Sequence, residues 1–78
     1  MASQLFAGGA VPRGYEPVSV ALVYNAAEAI EEVDLLVPSG SNAEEIRAIA
    51  EPLVADHYVP GYDEIRVLPY QGAQFWSL

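Results

Sequence analysis

The stretch Pro17-Val-Ser-Val-Ala-Leu-Val-Tyr24 decides the fold. Val18, Val20, Leu22 and Tyr24 fall on one side of an extended chain, and Ser19, Ala21 and Val23 fall on the other. A period of two, rich in β-branched side chains, reads as a strand with one strongly apolar face. Pro17 suits the first position of such a strand, where a missing ladder donor matters least.

Residues 25–37, next along the chain, admit two readings. As a strand, Val33, Leu35 and Val37 alternate with Glu32 and Asp34, and the segment folds back on 17–24 through a turn near Asn25–Glu28. As a helix, Asn25 caps, Glu28 completes an N-x-x-E box, and Ala26, Ala29, Ile30, Val33 and Leu36 form a stripe. The hairpin is favoured, because Val33-Asp-Leu-Leu-Val-Pro38 has strand composition and a strand-type stop. The alanine-rich start keeps the helix open.

Pro38-Ser39-Gly40-Ser41 is a turn, and a helix follows it. Ser41 and Glu44 match a capping box, and Glu44 and Glu45 suit the positive end of the helix dipole. Ile46, Ile49, Ala50 and Leu53 recur at i, i+3, i+4 and i+7, which predicts one buried stripe. Pro52 cannot donate to the Ala48 carbonyl and its ring crowds it, so a kink or restart is expected there. Val54 continues the stripe to about His57, and Pro60 and Gly61 end it. Ile65–Leu68 reads as a short last strand stopped by Pro69. The tail from Tyr70 to Leu78 carries Phe75, Trp76 and Leu78, and is too apolar for a free linker.

On the N-terminal side, residues 1–14 read as a flexible arm broken by Gly8, Gly9, Pro12 and Gly14. Leu5, Phe6 and Val11 are odd for a solvated tail and are expected to tuck against the domain or a neighbouring subunit. The fold class that results is α+β. Residues 15–78 form one small domain in the order β-β-α-β, with one helix packed on a three- to four-stranded antiparallel sheet. One helix cannot cover both faces, so Ala21, Val23 and Leu36 on the second face point to a partner or a dimer.

Bulk composition bounds the function. With 78 residues the chain buries only about 60–65% of its unfolded surface, so its core is small. Yet it is 53% hydrophobic, above the ~45–50% of ordinary domains, which leaves apolar material for an interface. The absence of cysteine excludes disulfides and thiol chemistry. Three arginines, no lysine and a net charge of −8 argue against direct nucleic-acid or anionic-membrane binding. Met1 to Val11 has no basic n-region and no spanning apolar run exists, so a cytoplasmic location is the default expectation.

No catalytic pattern stands out. His57 has Asp56 and Asp63 nearby in sequence, but no G-x-S-x-G elbow is present, and a histidine in the last helical turn suits the negative helix end. Asp56, His57, Asp63 and Glu64 lack the ligand order of a cation loop. Ser39-Gly40-Ser41-Asn42 opens a helix, but Glu44 and Glu45 would repel a phosphate there. The chain is therefore read as a non-enzyme with no metal and no cofactor.

The acids are the informative feature. Ten of the eleven lie between Glu28 and Glu64, and if hairpin and helix pack together many should share one surface. A dense negative face attracts basic surfaces and speeds association with them. Glu31, Glu32, Asp34, Glu44, Glu45 and Glu51 would supply the charge, and Tyr62 or Trp76 an aromatic anchor. The expected partner is the basic surface of a nucleic-acid-handling protein, occluded by phosphate-charge mimicry. Two other readings compete. The acids can simply keep a small apolar domain soluble, and the apolar tails with an uncovered sheet face can drive self-association into a homo-oligomer.

The segment Val33-Asp-Leu-Leu-Val-Pro-Ser-Gly-Ser-Asn-Ala-Glu-Glu-Ile-Arg-Ala-Ile-Ala-Glu51 joins a strand, a capped turn and an Ala-Glu-Glu helix. With its size, acidity and β-β-α-β order, the chain resembles small accessory proteins of phages and mobile elements, including anti-CRISPR and anti-restriction inhibitors. That resemblance implies a stoichiometric inhibitor that acts by occlusion. It transfers no functional residue.

Overall fold

A computed structural model describes residues 2–72. The elements are β1 (Gln4–Leu5), β2 (Tyr15–Tyr24), β3 (Ala29–Pro38), α1 (Ala43–Ala55) and β4 (Glu64–Leu68). The four strands form one sheet in the order β1-β3-β2-β4, antiparallel at every junction. The chain is thus the small α+β domain that the alternating pattern of 17–24 implies.

The hairpin reading of 25–37 holds, and the helical one does not. β2 and β3 pair from Tyr15↔Pro38 to Tyr24↔Ala29. The Glu28 N–H donates to the Asn25 carbonyl at 3.1 Å and closes the turn. Glu28 has φ 51, a left-handed conformation that costs a non-glycine residue about 1–2 kcal/mol. The register repays it by placing Val18 opposite Leu35 and Val20 opposite Val33 on one face. A one-residue slip would turn every one of these side chains to the other face.

That face meets α1. Val18, Val20, Leu22, Val33, Leu35 and Val37 pack with Ile46, Ala50, Val54 and Ile65 as a single core. Each fully buried Val, Leu or Ile contributes roughly 1.5–3 kcal/mol. The helix begins one residue later than the Ser41–Glu44 box predicts. Asn42 is the N-cap: its side chain accepts from the Glu45 N–H at 2.8 Å, and Glu45 Oε1 accepts from the Asn42 N–H at 2.9 Å. Both pairs fit the S/T/D/N-x-x-E pattern. The structure separates them because the Ser41 hydroxyl is committed to the Pro38 carbonyl at 2.6 Å.

The helix runs through Pro52 to Ala55 without a restart. Pro52 is on its exposed side, where water can reach the Ala48 carbonyl that the ring leaves without a donor. His57 lies beyond the C-cap Asp56, so no basic side chain occupies the last turn.

The second face is not open at its centre. Leu36 is 2% exposed and Ser19 is 0% exposed, and Ala21 and Val23 are also buried. Segments near both termini of the described chain reach the Ser19 and Leu36 part of this face. The N-terminal arm adds β1 to the edge of β3, and the Phe6 and Tyr70 rings meet at 5.9 Å with their planes tilted by 55°. The Gln71 N–H donates to Ser19 Oγ at 2.8 Å. Ser19 Oγ in turn donates to Asp34 Oδ1 at 2.6 Å. Leu5 packs against the core on the helix side and Phe6 meets Tyr70, whereas Val11, expected to tuck in with them, is 42% exposed.

Candidate interaction surface

Strand alternation divides the acids of β3 between the two faces. Glu31 pairs with Leu22 and belongs to the helix side, whereas Glu32 and Asp34 pair with Ala21 and Ser19 on the other. Glu31 is exposed and Glu32 half-buried. Asp34 is only 5% exposed and accepts the Ser19 hydroxyl, so it is part of the fold's interior rather than of a docking face. A carboxylate left without that donor would be costly to bury.

On α1, Glu44, Glu45 and Glu51 are all exposed. Glu44 and Glu51 are seven residues apart, two turns along one side of the helix. Glu45 is turned toward its cap and is occupied there. The expected single acidic surface is therefore not a continuous one. Helix acids lie outward over α1, β3 acids lie at the sheet edge on both faces, and two of the six candidates, Asp34 and Glu45, hold structural hydrogen bonds.

Other carboxylates do the same. Glu16 Oε2 accepts from the Gly40 N–H at 2.8 Å, tying the start of β2 to the turn before α1. Gly40 has φ +84, which a side chain would strain although space around it is open. Asp63 Oδ2 accepts from the Asn25 N–H at 2.7 Å, and the Asp63 N–H donates to the Val23 carbonyl at 2.7 Å. These two bonds lock the β2–β3 turn to the entry of β4. Arg66 pairs with Glu64 at 3.0 Å on the exposed surface. Sequence pattern did not reveal the roles of Glu16 and Asp63, because each joins residues far apart in the chain.

An aromatic group closes the helix-side end of the sheet. Tyr62 is half-buried and meets Tyr24 edge-on, with ring centroids at 6.5 Å. The Tyr24 hydroxyl donates to the Val59 carbonyl at 2.7 Å. Tyr58 packs beside them against the core. Loss of hydration, and then the Glu31 charge, raise the pKa of both Tyr24 and Tyr58 above the ordinary phenol value. Tyr62 thus supports the core and has only part of its ring to offer a partner. Trp76, the other expected anchor, lies outside the described residues.

Among the described residues no three metal-binding side chains converge. Asp56 and His57 are exposed beyond the helix end, while Asp63 faces the hairpin turn. No helix of the described chain is long and apolar enough to cross a membrane. Comparison with protein families, curated proteins and solved structures finds no match to this chain.

Proposed function

We propose that the chain is a non-enzymatic acidic interaction module that occupies a basic surface, most concretely on a nucleic-acid-handling protein. One observation carries this reading. Glu28, Glu31, Glu44, Glu51 and Asp56 are exposed, and none of their carboxylates makes a hydrogen bond or ion pair among the described residues. Against them stands a single ion pair among the described residues, Arg66–Glu64. Uncompensated surface charge of one sign steers a partner of opposite sign and speeds its association. Leu36, Ala21 and Val23 are buried within the single chain, which takes support from self-assembly through an open sheet face.

The test is capture on the tagged chain followed by elution along a salt ramp, with a Glu44→Lys/Glu51→Lys variant run in parallel. A basic nucleic-acid-handling protein should elute at moderate salt, and the variant should lose it. Its nucleic-acid binding should fall in proportion to added chain until the two are equimolar. Capture indifferent to both salt and charge reversal overturns the proposal.

A further inference from the structure

The sheet has two outer edges, and they are finished differently. At β4 the Arg47 side chain reaches over from α1 and donates to the Ile65 carbonyl at 3.2 Å. At β3, the short β1 pairs only with Leu35 and Leu36, and the Phe6 N–H adds one bond to the Asp34 carbonyl at 2.9 Å. β3 continues beyond that point to Ala29, and among the described residues no strand pairs with its outer side there. Backbone groups alternate in direction along a strand, so Ile30 and Glu32 turn their N–H and C=O the same way as Asp34, away from β2. An unpaired row of this kind is a template for another strand.

The side chains along this open stretch select its occupant. Ile30 is 60% exposed, the Glu31 carboxylate stands on the helix side, and Glu32 stands on the other. A second copy does not fit. Antiparallel registers that match the outward backbone groups set Ile30 against Glu32, Ile30 against itself, or Glu32 against itself. The first puts Glu31 opposite Glu31, the second puts Glu32 opposite Glu28, and the third is itself a carboxylate pair. Like charges directly opposite one another destabilise strand pairing.

Resting on the interaction-module reading, we propose that the free edge of β3 from Ala29 to Val33 receives an extended basic segment of the partner as a fifth strand. Two consecutive Lys or Arg side chains of that segment, one on each face, meet Glu31 and Glu32. An apolar side chain next to them covers Ile30. The backbone ladder supplies affinity, and the two carboxylates supply the preference for basic sequence.

The probe is the capped peptide acetyl-Thr-Val-Lys-Arg-Val-Thr-amide, titrated into the full chain and followed by backbone amide NMR and hydrogen exchange. Slower exchange at Ile30 and Glu32 is expected, together with loss of binding when alternate peptide nitrogens are methylated. Glu31→Lys/Glu32→Lys should weaken the peptide roughly tenfold. The same variant should bind acetyl-Thr-Val-Glu-Glu-Val-Thr-amide better than the parent does, which excludes simple misfolding as the cause. Peptide-induced shifts confined to α1 around Glu44 and Glu51 overturn the edge site while leaving the interaction module intact. Failure of the peptide to bind, with a basic partner still captured at moderate salt, overturns the edge site alone. Failure of both overturns the module as well.

Discussion

The two faces of the sheet are buried to a similar degree by different means. Leu35 and Leu36 are neighbours in β3, are 0% and 2% exposed, and point to opposite sides. Leu35 packs into the dry core beneath α1. Leu36 lies on the side where Phe6 meets Tyr70 and where a Gln71–Ser19–Asp34 hydrogen-bond chain crosses the surface. One face is closed by apolar packing against a helix, and the other by terminal segments held through polar atoms. The first resists opening with the whole cooperative unit. The second can open locally, since frayed ends release before cores do.

The largest expected effect separates the faces directly. Leu35→Ala should cost about 3–5 kcal/mol in denaturant unfolding, and Leu36→Ala about 2–3 kcal/mol, because terminal segments relax into a cavity more readily than a helix does. Equal losses would show that the second face is as rigid as the first. Ser19→Ala comes next. It removes the Ser19 bond to Asp34 Oδ1 and leaves the Gln71 N–H without that acceptor, at about 1–3 kcal/mol. Hydrogen exchange should then speed up at Gln71 while amides of α1 keep their protection.

Much of the helix-covered face was legible in the sequence. Val18, Val20 and Leu22 in β2, and Val33, Leu35 and Val37 in β3, display the period of two. Ile46, Ala50 and Val54 display the helical one. Periodicity is a property of a single element, so it can be read without knowing the rest of the fold. The second face has no such signature. A serine and an aspartate inside strands look solvated until Ser19 is seen to donate to Asp34 and to accept from Gln71, far along the chain. The acidic surface failed to appear as one patch for the same reason. Asp34, Glu45, Asp63 and Glu16 are spoken for by backbone donors or a hydroxyl that composition does not reveal.

Smaller effects sharpen the contrast on the helix side. Asn42→Ala should cost about 1 kcal/mol and loosen the start of α1. Asn42 should matter more than Ser41 in thermal unfolding, since only Asn42 accepts from the first helical turn. Spectrophotometric titration addresses the tyrosines. Tyr24 and Tyr58 have folded-state pKa values raised above the unfolded 10.0, so the folded chain holds those protons longer. Their contribution to stability is complete below pH 10 and is lost as pH rises through the raised values. Tyr24→Phe and Tyr58→Phe should each flatten that alkaline loss without changing stability near neutrality through ionisation.

The meeting of Phe6 with Tyr70 also sets an order of events in folding. The β2–β3 hairpin closes through a turn at residues 25–28, whereas the ring contact joins positions 6 and 70. Loop-closure entropy rises with the length of chain enclosed, so distant contacts form after local ones have shortened the path. The hairpin and its helix should therefore assemble first, and the ends should seal the second face last. For that interval Leu36 and Ser19 should face water. The net charge of −8 then has a task that the finished fold conceals: it makes two half-sealed copies repel each other until each has closed over itself.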